Sequence, residues 1–169
     1  MRRWINSHFI YEISELYFSY YFFESVEEKR LRMSIAQYNV LKNIAIEHVL
    51  LHVRNLYEFY FKPLDSNPNA RVSNFTLNFN PIYRHKYLNE KVYKKICDQI
   101  AHLGWKRYIK SRNKNWHLKE MIKVILKITK QFIENVRRYN QYYFGEGLKS
   151  TYARLVQPLE PYIDLLIFN

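Results

Sequence analysis

The chain of 169 residues is 48% hydrophobic and carries 27 Lys and Arg against 15 Asp and Glu, a net charge of +12. This composition supports one buried core, so it excludes a wholly disordered protein and predicts a single domain over residues 1–169. The single cysteine excludes an intrachain disulfide and any multi-cysteine metal site.

The N-terminus begins with basic residues, but Glu12, Glu15 and Glu24 interrupt the segment that follows. A secretory signal needs an uninterrupted apolar stretch at this point, and a membrane-spanning helix needs a longer one. We find neither pattern in the sequence. We therefore expect a cytoplasmic protein with no membrane partner.

The first half of the chain predicts two helices. The first extends from Ser7 to about Arg32, where apolar residues recur at helical spacing. The second extends from Ile35 to Phe61, and Ser34 with Gln37 forms a capping-box pattern at its start. Its predicted inward stripe steps by three and four residues and consists of Leu41, Ile44, His48, Leu51, Asn55 and Phe59.

The second half predicts a loop, two more helices and a tail. Prolines and asparagines indicate a long loop over residues 62–87. The third helix is predicted from about residue 89 to 110, and the fourth from about 115 to 143, before two glycines. An apolar C-terminal extension covers residues 145–169. The predicted fold is all-α, an antiparallel four-helix bundle.

Polar residues interrupt the apolar faces of the second and third helices. Arg54 and Asn55 lie on the second helix, and His102 lies on the third. A charge on an apolar helix face is costly unless it is paired or used. One interpretation is a cleft that positions a phosphate or a 2′-hydroxyl, with His102 as acid or base. The other is a buried polar network that fixes the register of the helices.

The residues around these positions carry a resemblance. A Leu-His-x-Arg-Asn-Leu-x-Glu-Phe helix beginning at Leu51 is followed by an Ala-His-Leu-x-x-x-Arg segment beginning at Ala101. This pairing resembles uncharacterised bacterial helical-bundle proteins and, distantly, the HEPN superfamily of prokaryotic nucleotide-binding and ribonuclease domains. HEPN ribonucleases carry an arginine, a polar residue and, four to six residues after the arginine, a histidine. Their metal-independent site usually forms between two copies.

The resemblance implies a protein that acts on RNA, as in toxin or anti-phage defence systems, and a possible homodimer. The literal match to the ribonuclease motif is Arg112 to His117, with Asn113 in the polar position. The resemblance implies that His102 or His117 is the acid or base, and that Arg54 or Arg112 contacts the phosphate. Asn55 completes the predicted catalytic set.

Basic residues are concentrated in residues 84–154, where 18 Lys and Arg face 5 Asp and Glu. Two groups of them, interleaved in part with aromatic residues, predict a surface that binds RNA. These groups are Lys106, Arg107 and Lys110, and the helical stripe Lys119, Lys123, Lys127 and Lys130. The alternatives are an ordinary solvated helix face or a surface for an acidic protein, in a non-catalytic inhibitor or assembly subunit.

The remaining sequence contains no glycine-rich phosphate loop, serine elbow or paired-carboxylate pattern. His48 and His52 have a spacing that can bind a metal, but the glutamate pattern of zinc proteases is missing. We therefore predict no metal and no cofactor.

Overall fold

The structure, a computed structural model, describes residues 8–62, 72, 79–81, 85–100 and 115–143. These residues form four helices: α1 (Ile10–Glu28), α2 (Ile35–Phe61), α3 (Glu90–Ile100) and α4 (Leu118–Tyr143). A short 3₁₀ turn joins α1 to α2, and the described residues include no strand. The prediction of an all-α fold with four helices is confirmed.

Side-chain contacts define the directions of the helices. Glu12 near the start of α1 contacts His52 in the second half of α2, whereas Glu27 near the end of α1 contacts Lys42. Lys62, the residue after α2, contacts Glu90 at the start of α3. The hydroxyl of Tyr93, one turn into α3, contacts Glu58, one turn before the end of α2. Both neighbouring pairs are therefore antiparallel, and for α1 and α2 the short connection favours this arrangement.

The ends of α2 follow from local sequence. The Ser34 hydroxyl accepts a hydrogen bond from the Gln37 backbone N–H at 3.2 Å, and the Gln37 side chain accepts one from the Ser34 N–H at 3.1 Å. This is the predicted capping box, which satisfies two N–H groups that a helix start otherwise leaves without partners. At the other end, Lys62 is extended, as a residue that precedes a proline tends to be.

The C-terminal half of α2 is the centre of the core. Its buried residues contact α1, α3 and α4, and the interior they share is almost entirely apolar. The buried residues of α2 are Tyr38, Ala45, Val49, Leu50, His52, Val53, Leu56, Tyr57, Phe59 and Tyr60.

The predicted inward stripe of α2 was wrong in part. Phe59 is buried and Leu41, Leu51 and Asn55 are half-buried, but Ile44 and His48 are exposed. A single stripe suits a helix that packs on one neighbour. In its second half α2 packs against three helices, so burial extends around it, while its first half contacts mainly α1.

An aromatic cluster closes one end of the bundle. The ring centroid of Phe9 lies 5.3 Å from that of Phe59 and 5.5 Å from that of Phe132. The buried hydroxyl of Tyr60 donates to Thr129 Oγ1 at 2.8 Å, and the Thr129 hydroxyl donates to the Ile125 carbonyl at 2.9 Å. Burial raises the pKa of Tyr60 well above its ordinary value. The phenol therefore stays a neutral donor, and its burial leaves no unsatisfied hydroxyl.

The predicted extension (145–169), the end of the predicted third helix (101–110) and most of the predicted loop (62–87) lie outside the described residues. Among the helices that are described, none has the length together with the apolar character needed to cross a bilayer.

The Ser34 cap provides a test of the α2 boundary. We expect Ser34→Ala to lower the free energy of unfolding by about 1 kcal/mol, because the Gln37 N–H loses its acceptor. The matched control is Asn39→Ala, an exposed site inside the same helix, where alanine is the better helix former. Urea unfolding of both variants measures the difference, and equal stabilities would contradict the role of the cap.

Candidate functional site

The first polar group lies between α1 and α2. Nδ1 of His52 lies 2.8 Å from Oε2 of Glu12, and the amide of Asn55 donates to both oxygens of that carboxylate at 3.1 Å. His52 is 5% exposed, and the edge of Tyr11 packs against its ring. The carboxylate thus accepts bonds from two residues of α2, which offsets the cost of holding it at a helix interface.

The second polar group lies between α2 and α3. Nε of Arg54 donates to Oε1 of Glu58 at 3.0 Å, and the hydroxyl of Tyr93 donates to the same oxygen at 2.8 Å. Burial lowers the pKa of the Arg54 guanidinium, but the charge and the hydrogen bond of Glu58 raise it by more. The pKa of Arg54 is therefore above its ordinary value. Burial, Cys97 and Glu58 together raise the pKa of Tyr93. The Arg54 guanidinium and the Tyr93 hydroxyl therefore keep their protons. Glu58 accepts a hydrogen bond from each of them, and so connects α2 to α3.

The same interface continues toward the end of α2. The ring of Tyr57 stacks on Tyr93 with centroids 4.6 Å apart, and its hydroxyl donates to Glu90 at 3.1 Å. Nζ of Lys62 lies 3.1 Å from Glu90 and 4.5 Å from the centre of the Tyr93 ring. The hydrogen bond from Lys62 is the main cause of the lowered pKa of Glu90. Stacking and ion pairing together hold α3 against α2.

The structure separates the two residues that the sequence pairs. Arg54 binds Glu58 on the side of α3, and Asn55 binds Glu12 on the side of α1. Consecutive helical residues point about 100° apart, so one interhelical cleft does not receive both side chains. His117 lies just before α4, exposed, with its ring 4.8 Å from that of Tyr87.

The other predicted site residues lie outside the described part of the chain. These residues are His102, Arg112, Lys106, Arg107 and Lys110. Their predicted roles stay predictions. Among the described residues, Arg54 and Asn55 fit the interpretation of a buried polar network better than that of a phosphate-binding cleft, because both side chains already bind carboxylates.

Sequence analysis missed Glu12 as the partner of Asn55 and His52 as the second residue bound to the same carboxylate. His52 belongs to the quoted helix pattern, but its partner precedes it by 40 residues, and nothing local in the sequence relates the two. A signal was present in α1, where Glu12 falls next to the buried Ile13 and near Leu16. A carboxylate beside a buried helix face needs a donor on the facing helix.

The basic residues of α4 form one exposed face, which we call the basic face. It consists of Lys119, Lys123, Lys127, Lys130 and Arg138. Lys123 is half-buried and the other four are exposed, while two carboxylates lie on the same side, the exposed Glu134 and the half-buried Glu120. The opposite side of α4 is packed in the core through Ile122, Ile125 and Phe132. The predicted stripe is therefore a solvent-facing surface.

A shallow pocket lies near the start of the basic face, where α2, α3 and the residues before α4 meet. It encloses about 310 Å³ including the part open to solvent. Its lining combines the amides of Asn43 and Gln99 and the carboxylate of Glu47 with the indole of Trp116. Nζ of Lys95 lies 4.1 Å from the centre of that indole, and burial lowers the pKa of Lys95.

No group of three or more His, Cys, Asp or Glu side chains in the described residues is arranged to hold a metal ion. Comparison of the chain with models of protein families, with curated proteins and with solved structures yielded no match. The resemblance to HEPN proteins therefore stays a prediction.

The structural role of the first polar group, formed by Glu12, His52 and Asn55, can be tested by replacing its histidine. We expect His52→Ala to lower the free energy of unfolding by about 1–3 kcal/mol, because it leaves the carboxylate with fewer donors and creates a cavity. His48→Ala is the matched control, since His48 lies one turn earlier on α2 and is exposed. We expect it to change stability by less than about 0.5 kcal/mol. Similar losses in the two variants would contradict the structural role of His52.

Proposed function

We propose that the protein binds nucleic acid, with RNA favoured, through the basic face of α4. The observation that carries the proposal is the placement of five cations, four exposed and one half-buried, on one side of a single helix whose other side is in the core. Successive turns of a helix rise about 5.4 Å, so Lys119, Lys123 and Lys127 form a regular row of charges. Such a row matches a polyanion better than it matches a small anion.

A single strand is favoured over a duplex because an aromatic side chain stands beside the row of cations, and the resemblance to HEPN proteins favours RNA among single strands. Trp116 lies half-buried before α4, at the wall of the shallow pocket. Unpaired bases stack on such rings, and amides and carboxylates hydrogen-bond to base edges. Asn43 and Gln99 provide amides in the same pocket, and Lys95 adds a cation over the indole of Trp116.

The contacts of Arg54 and Asn55 support binding over cleavage. The Arg54 guanidinium is paired with Glu58, and the Asn55 amide is bonded to Glu12. A phosphate that approached Arg54 would compete with a carboxylate that is already in place and only 14% exposed. These residues therefore support the helix bundle, and the basic face is left to contact the ligand.

Charge reversal of the basic face tests the proposal. We expect Lys119→Glu/Lys123→Glu/Lys127→Glu to weaken binding to a single-stranded RNA by more than about tenfold at physiological salt. The slope of log K against log salt should fall in magnitude by about 2, since three phosphate contacts are lost at about 0.7 each. Fluorescence anisotropy with a labelled RNA over a range of salt concentrations measures both quantities.

The control carries the same change in net charge at another surface. Lys29, Arg30 and Arg32 are exposed and lie in the connection between α1 and α2, so their replacement by glutamate should preserve most of the affinity for RNA. Equal weakening by the two triple variants would show that total charge, and not the basic face, determines binding. Affinity that does not depend on salt would count against a nucleic-acid ligand. A duplex of the same length distinguishes a single-stranded from a double-stranded preference.

Metal-independent RNA cleavage is a second candidate, favoured by the exposed imidazole of His117 next to the first lysine of the basic face. Histidine titrates near neutral pH and can transfer the proton of a 2′-hydroxyl. We expect such cleavage to persist in EDTA and to be lost in His117→Ala or His102→Ala while RNA binding remains. His48→Ala is the control, and activity unchanged in both test variants would contradict this candidate.

A further inference from the structure

The outer side of α1 exposes large aromatic side chains that the core does not use. Tyr11 is 53% exposed, Phe18 60%, Tyr21 49% and Phe22 42%. Aromatic side chains of this size are normally found inside a protein or at an interface. Four of them on one short helix therefore need an explanation beyond the folding of this chain.

These four side chains lie on one side of α1, which we call the aromatic face. Tyr11, Phe18 and Phe22 follow one another at intervals of seven and four residues, which places them in one row along the helix. Tyr17 connects this row to the next, because its ring lies 6.2 Å from Phe18 and 4.5 Å from Tyr21. The row from Tyr11 to Phe22 extends over about 16 Å, or three helical turns.

The area of the aromatic face fits one helix of a partner. With about half of roughly 200 Å² exposed on each of four rings, the patch amounts to about 400 Å². Patches of this size on soluble proteins commonly mark interaction sites. A stable interface between two proteins buries about 800 Å² on each side, so the patch alone is too small for a strong homodimer.

The charges of α1 indicate which partner fits. The helix contains five glutamates and no lysine or arginine. Glu12 is bonded to His52 and Asn55, and Glu27 to Lys42 and Tyr38. Three further carboxylates accompany the aromatic face, namely Glu15, Glu24 and Glu28.

These carboxylates disfavour two possible ligands of the aromatic face, a nucleic acid and a second copy of this chain. A nucleic acid that stacked on the rings would bring phosphates close to them. A second copy of α1 on the same face would add five more glutamates and no cation, because an isologous contact presents each partner with its own surface. A cationic partner has neither disadvantage.

We propose that the aromatic face binds an amphipathic helix of a partner protein, one whose apolar stripe is flanked by lysine or arginine. Apolar anchors of that helix, at every third and fourth position, pack between Tyr11, Phe18 and Phe22. Its flanking cations pair with Glu15 and the carboxylates near the end of α1. The proposed binding surface lies on α1 and carries carboxylates, whereas the basic face lies on α4 and carries cations.

The proposal is tested on the full chain with two synthetic helical peptides of about 18 residues. One has leucines at every third and fourth position with lysines between them, and the other has glutamates in place of the lysines. We expect the protein to bind the lysine peptide and to bind the glutamate peptide at least about tenfold more weakly. Titration calorimetry or anisotropy measures both affinities.

Phe18→Ser/Phe22→Ser removes the centre of the aromatic face. Because both side chains are exposed, the thermal unfolding temperature should be preserved, while affinity for the lysine peptide falls by about tenfold or more. The matched control is Leu31→Ser/Ile35→Ser, which removes two side chains that are 97% and 80% exposed but lie beyond α1. We expect this control to keep the affinity of the unchanged protein.

A charge exchange provides an independent test. Glu15→Lys/Glu28→Lys should weaken binding of the lysine peptide and strengthen binding of the glutamate peptide. The proposal is overturned if the lysine peptide does not bind, or if it binds equally after loss of Phe18 and Phe22. A homodimer in sedimentation that becomes a monomer in Phe18→Ser/Phe22→Ser assigns the face to a second copy instead. Binding of labelled RNA by the Lys119→Glu/Lys123→Glu/Lys127→Glu variant that is lost on adding Phe18→Ser/Phe22→Ser, with no peptide present, would assign the face to nucleic acid.

Discussion

The burial of the second half of α2 against three other helices is the constraint on which the described structure depends. Residues 49–60 contribute to the interfaces with α1, α3 and α4 at once, so each neighbour is positioned through this one segment. Apolar contacts provide most of the stabilisation, as they do in helix bundles generally. The polar side chains of α2 determine how each neighbour is rotated and how far it slides.

Much of the fold could be predicted because its signals are local. The capping box at Ser34, the proline after Lys62 and the apolar spacing of α2 all lie within a few residues of the feature they determine. Burial was harder to predict, since it depends on how many neighbours surround a helix. The exposure of Ile44 shows this, because nothing in its own segment distinguishes it from the buried Val49.

The candidate site could be predicted less well, for a related reason. Arg54 and Asn55 are conspicuous in the sequence as polar residues in an apolar helix. Asn55 bonds to Glu12 of α1, and Arg54 bonds within α2 to Glu58, which in turn accepts a hydrogen bond from Tyr93 of α3. Their partners are set by the tertiary arrangement: Glu12 lies more than 40 residues away in the chain. The basic face was easier, because a stripe of lysines at intervals of three and four is exposed whenever the opposite stripe is apolar.

The divergence of Arg54 and Asn55 has a mechanical consequence. Asn55 bonds to Glu12 on α1, while Arg54 holds Glu58 within α2, and Glu58 accepts the bond from Tyr93 of α3, so α2 is restrained from two directions. A rotation of α2 about its axis, or a sliding motion along it, would break bonds on both sides together. Movements that preserve these bonds carry α1, α2 and α3 as one rigid unit. The buried hydrogen bond from Tyr60 to Thr129 includes α4 in the same unit, because it connects the same segment of α2 to the fourth helix.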